Sequence, residues 1–107
     1  MTTSSYNTTS NKTTSGADKE AETVLKILNN KNRFAIMQLL LNADEDLCVY
    51  EISQAVGISQ SAASHQLANL EAHGVVRGVR DGRTKCYVPT DAELTDKIAR
   101  VINSLES

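Results

Sequence analysis

The chain has 107 residues, a hydrophobic fraction of 40%, an aromatic fraction of 4% and a formal net charge of −2. That length allows one small domain with an aliphatic core, and two cysteines are too few for a disulfide scaffold. No apolar run approaches the roughly 20 residues of a membrane span, and the N-terminus lacks the apolar stretch of a secretory signal, so the expected compartment is the cytosol.

Residues 1–16 form a polar tract of Thr, Ser, Asn and Gly with no apolar period, read as a disordered tail ahead of a domain over 17–107. Asn7-Thr-Thr and Asn11-Lys-Thr match glycosylation sequons, a weak signal that carries nothing without secretion. A first helix is expected over about 17–28, with Val24, Leu25, Ile27 and Leu28 as its apolar residues. Residues 29–32 read as a polar linker. A second helix follows with Phe34, Ile36, Met37, Leu39, Leu40 and Leu41; it is apolar around most of its circumference and so belongs at the centre.

After the acidic loop Asp44-Glu-Asp46, Leu47-Cys-Val49 reads as a brief strand leading into a third helix over about 50–56, closed by Gly57. A fourth helix is expected over about 59–73, with Ser59 as its cap and Gly74 at its end. Ala63, Leu67 and Leu70 fall at i, i+4, i+7 and give it one apolar face. Gln60, Ser61, Ser64 and His65 lie off that stripe. They are short hydrogen-bonding groups suited to base edges and phosphates in a major groove. Helix, glycine turn and helix with a polar outer face make a helix-turn-helix. His73, next to Gly74 at a helix end, reads as a structural group interacting with the last carbonyls.

Two β-like runs, 75–80 and 84–88, flank the hairpin signal Asp81-Gly82. Four cations, Arg77, Arg80, Arg83 and Lys85, collect here against Asp81, so a basic surface exists on an acidic chain. Pro89 is expected to stop the second strand, and Thr90 with Glu93 to form a capping box for the last helix. That helix shows Leu94, Ile98, Val101, Ile102 and Leu105 as a stripe that needs a partner surface, for which a second copy is the natural choice. The expected fold is mainly α with a small β-hairpin: a winged helix-turn-helix whose wing carries Arg80, Arg83 and Lys85 to phosphates. An enzyme is not expected, because the chain has no glycine-rich phosphate loop and no nucleophile, base and acid set.

In winged helices the short strand before the third helix pairs with the distal wing strand. That would place Leu47-Cys-Val49 beside Cys86-Tyr-Val88; the separation of the two thiols, and with it a disulfide or a two-thiolate soft-metal site completed by another group, is left open by the sequence. The plainer alternative is two small buried hydrophobes.

Ser59-Gln-Ser-Ala-Ala-Ser-His-Gln-Leu67, Leu70, Gly74-Val-Val76, the wing Asp81-Gly-Arg-Thr-Lys-Cys-Tyr87 and Asn32-Arg33 together resemble the ArsR/SmtB family of small dimeric repressors, over about residues 20–105. The resemblance implies a homodimer joined through the first and last helices, here Val24, Leu28, Leu94, Ile98, Val101, Ile102 and Leu105. It also implies major-groove contacts from Gln60, Ser61, Ser64 and His65, an operator that is an imperfect inverted repeat in double-stranded DNA, and no required cofactor. The family's sensor sites do not carry over. Its Leu-Cys-Val-Cys segment reads Leu47-Cys48-Val49-Tyr50 here, residues 91–107 hold no histidine, and the paired cysteines of the persulfide-sensing branch are missing from the second and last helices. What remains for an effector is thiol modification or a soft metal ion at Cys48 and Cys86. Two alternatives stand beside this reading: a winged-helix protein-interaction module, and a DNA-binding repressor with no small-molecule sensor.

Overall fold

The computed structural model describes residues 16–106, so the expected tail and its two sequons lie outside the described residues, save for Gly16. The elements run α1 (Gly16–Leu28), α2 (Lys31–Asn42), β1 (Leu47–Cys48), α3 (Val49–Val56), α4 (Gln60–Ala72), β2 (Val76–Asp81), β3 (Thr84–Pro89) and α5 (Glu93–Glu106). This is the expected mainly helical architecture with a hairpin.

The linker between α1 and α2 is shorter than its polar residues suggest. Asn30 is an N-cap: its side-chain oxygen accepts the N–H groups of Asn32 and Arg33, both at 3.0 Å, and the helix starts at Lys31. Arg33 then folds back onto the end of α1. Its Nε donates to the Ile27 carbonyl at 3.2 Å and one terminal nitrogen to that of Lys26 at 3.0 Å, while the other reaches the Gln66 side-chain oxygen on α4 at 3.3 Å. The guanidinium fork thus satisfies orphan carbonyls at a helix end and seats α4 against α1 and α2.

The helix-turn-helix forms as its punctuation dictates. Gly57 takes a left-handed conformation with φ 84°, and its N–H donates to the Ser53 carbonyl at 2.8 Å. Ser59 Oγ accepts the Ala62 N–H at 3.0 Å and starts α4. Ala63, Leu67 and Leu70 are completely buried. Leu67 and Leu70 join Ile36, Met37 and Leu40 of α2, Ile27 of α1, Ile52 of α3 and Ile98 and Ile102 of α5 in one core. Each large aliphatic side chain so buried contributes about 1.5–3 kcal/mol, which is how a chain nearly without aromatics holds together.

The sheet has the order β1-β3-β2, all neighbours antiparallel. β1 pairs Leu47 with Tyr87 and Cys48 with Cys86; β2 pairs along β3 from Val76 opposite Pro89 to Asp81 opposite Thr84. Gly82, at φ 68°, makes the turn at the tip. β3 runs through Pro89 and ends there, as expected.

Two expectations about α5 need correction. Thr90 and Glu93 fit the capping-box spacing, yet the Thr90 hydroxyl donates to the Gly74 carbonyl at 2.7 Å and lies 2.7 Å from the hydroxyl of Thr95, which is buried. Thr90 Oγ1 also accepts the Ala92 N–H at 3.4 Å, and Glu93 lies 4.0 Å from Lys97, so the threonine ties the end of the sheet to the start of α5 without a capping box. The apolar stripe also splits. Ile98 and Ile102, with Val24 across from them on α1, are buried in the protomer's own core and are not free for a second copy. Leu94 and Leu28 are half-buried against that core. The apolar side chains left outside are Leu105 at 64% exposure, Val101 at 36% and Leu25 at 68%, the last not expected there from the sequence.

Candidate nucleic-acid interface

Burial of Ala63, Leu67 and Leu70 leaves α4 one orientation, and it turns Gln60, Ser61, Ser64 and His65 outward; all four are exposed. Gln60 and Ser64, one turn apart, open onto a concavity of about 500 Å³. Its far wall is the wing, through Arg80, Arg83, Thr84 and Lys85, and its near end is Val49 and Tyr50 at the start of α3. The structure therefore brings together five of the seven expected contact residues. Ser61 and His65 sit on the same exposed helix face but outside this concavity. Tyr50, 58% exposed, joins the site without having been singled out. The sequence marked it only as the phenol in place of the second cysteine of the Leu-Cys-Val-Cys segment.

The three wing cations are not equivalent. Arg80 and Lys85 stand directly opposite on neighbouring strands, where like charges repel. Arg80 and Arg83 are exposed. Lys85 leans back over Gly78 to the Glu71 carboxylate at the end of α4, 3.3 Å away, with its ammonium 5.4 Å from the Tyr87 ring centroid. A side chain at position 78 would collide with the Lys85 stem, so the glycine makes room for this path. The other Glu71 oxygen accepts the Gly78 N–H at 3.1 Å. That backbone donor, aided by Lys85 and opposed by burial, holds the Glu71 carboxyl below its usual value; the Glu71 hydrogen bond in turn raises Lys85. Lys85 is thus partly committed to fixing the wing on α4, unlike the free phosphate contact expected of it. His73 is structural as expected: its Nδ1–H donates to the Asn69 carbonyl at 2.9 Å.

Where β1 pairs with β3, Cys48 and Cys86 are joined by a disulfide, with Cα atoms 3.7 Å apart. Cys86 is 4% exposed and Cys48 half-buried. Among the described residues no three His, Cys, Asp or Glu side chains converge as metal ligands, and no helix is long and apolar enough to cross a membrane. Between α1 and α5, two apolar grooves meet at Leu25 and Val101, one of them bounded also by Leu28, Phe34 and Leu105.

Residues 30–77 match the profile of the bacterial regulatory protein, arsR family. A protein of Halobacterium salinarum with the name "Putative arsenical resistance operon repressor ArsR2" is 33% identical over 82 residues, 77% of this chain and 67% of that protein. The solved structure of HlyU from Vibrio cholerae superposes with a TM-score of 0.74 at 29% identity, covering 86% of this chain and 98% of that one. A homodimeric winged helix-turn-helix DNA-binding domain from Mycobacterium bovis does so with a TM-score of 0.64 at 26% identity, over 82% and 76% of the two chains. The fold and the site define a winged helix-turn-helix transcriptional regulator and not an enzyme. The chain belongs to the ArsR family of bacterial regulatory proteins.

Proposed function

We propose that this chain is a dimeric repressor that reads an imperfect inverted repeat in double-stranded DNA and leaves it in response to thiol-directed or soft-metal chemistry at Cys48 and Cys86. The observation that carries the reading is the concavity shared by the exposed face of α4 and the wing, where Gln60 and Ser64 face Arg80 and Arg83. Neutral hydrogen-bonding groups on a helix supply base readout, with Ser61 and His65 extending it along the groove. The exposed arginines supply phosphate contacts, which position the helix without reading sequence. Leu25, Val101 and Leu105 form the apolar surface that a second copy would cover, in keeping with the homodimeric assembly of the Mycobacterium bovis domain. Two copies then present two α4 helices to half-sites about one turn of DNA apart, and occupancy blocks a promoter.

The test is operator binding with a salt titration. Gln60→Ala and His65→Ala should each cost about 1–3 kcal/mol for the cognate duplex and little for random DNA. Arg80→Ala or Arg83→Ala should weaken binding to all duplexes and flatten the salt dependence by about one unit of slope. Lys85→Ala should flatten it less, because its ammonium is shared with Glu71. Binding that ignores salt and these substitutions would sink the DNA reading and leave a protein-interaction module. A repressor whose response to thiol reagents survives loss of both cysteines would have no sensor at this pair.

A further inference from the structure

Among the described residues the exposed large apolar side chains are Leu25, Val101, Leu105 and Tyr50. The first three lie together on the α1–α5 surface. Tyr50 stands apart from them, in the first turn of α3, where it lines the concavity between α4 and the wing. A ring that is 58% exposed adds little to the core, so packing does not explain its place. The backbone beneath it is fixed. The Tyr50 carbonyl accepts the hydroxyl of buried Ser53 at 2.8 Å. The acidic group of that turn, the Glu51 carboxylate, is engaged with the Cys48 N–H at 2.9 Å. The phenol shares the concavity with Gln60, Ser64, Arg80 and Arg83, and among the described residues no group bonds its hydroxyl. Two torsions place the ring, so holding it against a ligand costs little entropy.

α3 is the first helix of the helix-turn-helix. When the second helix lies in a major groove, the first crosses the sugar–phosphate backbone. The exposed start of α3 and the wing arginines then approach the backbone from two sides of one concavity. The arginines bring charge, and the phenol brings a neutral donor on a fixed helix end. We infer that Tyr50 is a DNA-contacting residue whose hydroxyl donates to a backbone phosphate at the junction of α3, α4 and the wing. The inference rests on the DNA-binding reading above and adds to that site a contact with its own signature. A base contact is lost on cognate DNA alone. An arginine contact is lost on every duplex and takes part of the salt dependence with it. A bond from the phenol to a phosphate is lost on every duplex and leaves the salt dependence as it was, because no counterion is released for a neutral donor.

The experiment uses the full chain and a duplex that it enriches from a random-sequence pool, with affinities measured across a salt series. Tyr50→Phe removes the hydroxyl alone. It should weaken binding about tenfold, on cognate and random duplexes alike, with the salt slope of the wild type. Tyr50→Ala should lose at least as much, and both variants should keep the wild-type thermal midpoint, since the side chain is exposed. Duplexes with one neutral methylphosphonate at successive backbone positions locate the acceptor. At one position in each half-site the replacement should weaken the wild type and leave Tyr50→Phe unaffected. Wild-type affinity in Tyr50→Phe, a loss confined to the cognate duplex, a flattened salt slope, a lowered midpoint or the lack of a coupled phosphate would overturn the inference and leave the DNA reading standing. A wild-type chain that enriches no duplex would instead overturn the DNA reading, and this inference with it.

Discussion

Glu71 shows how one side chain sets the posture of a wing. Its carboxylate accepts from Gly78 on β2 and pairs with Lys85 on β3, so both strands are tied to the last turn of α4. The largest influence on its titration is the Gly78 N–H, which favours the ionised form and depresses the folded-state value below the ordinary 4.5. A depressed carboxylate contributes stability that is fully present above the unfolded value and is lost as pH falls through the folded one. Glu71→Gln keeps the shape and removes the charge. It should therefore lower stability at neutral pH, and the difference should shrink as pH drops below 4.5. The side chain is 37% exposed, so solvent screening holds the effect below about 1 kcal/mol. Urea unfolding of both proteins at neutral and acid pH measures it. A difference that grows on acidification would show that Glu71 acts through something other than its charge.

Among the elements, α5 separates what a sequence pattern carries from what it omits. Leu94, Ile98, Val101, Ile102 and Leu105 form one apolar band on a helical projection, yet the band holds two seams. Ile98 and Ile102, one turn apart, point into the core, and Val101 and Leu105, also one turn apart, point out. Aspartate at the two seams should act differently. Ile98→Asp places an unpaired charge in the core, which costs several kcal/mol against a typical total of about 5–15, and should unfold the protein. Leu105→Asp and Leu25→Asp should fold normally and yield monomers, which sedimentation and circular dichroism together can read. A dimeric Leu105→Asp beside a folded, monomeric Ile98→Asp would move the interface to the other seam. α4 and the hairpin were legible in the sequence because local signals fix them: Ser59 and Gly74 at the ends of the helix, a period of three to four between Ala63, Leu67 and Leu70, and Asp81-Gly82 at the tip. What the sequence did not show depends on distant partners. Thr90 donates to the Gly74 carbonyl in place of forming a capping box with Glu93, and Lys85 finds a carboxylate fourteen residues back. The cysteines give the chemistry, but only the β1–β3 register shows that they meet.

For the molecule as a whole, the Cys48–Cys86 bond closes a loop with a sequence separation of 38 that contains α3, the turn, α4 and β2. Most of the candidate interface therefore lies within one covalent ring. Closing a loop of that length restricts the unfolded chain by about 4 kcal/mol on a chain-entropy account, large beside the total stability of a small domain. Reduction should then lower the thermal midpoint by roughly 20 °C, since about 1 kcal/mol moves a domain of this size by 4–8 °C. It should also steepen the dependence on urea, because an unfolded chain without the crosslink exposes more surface. This prediction is separate from the proposed release from the operator. Loop closure acts on the unfolded ensemble, whereas operator affinity depends on how the wing sits in the folded state. A protein that loses stability on reduction but keeps its affinity would have a purely structural disulfide. Cys48→Ala should match the reduced protein in midpoint and in urea slope, and dithiothreitol should leave both unchanged. Identical unfolding of the oxidised and reduced chains, with the bond confirmed by mass in the first, would refute the loop-closure account.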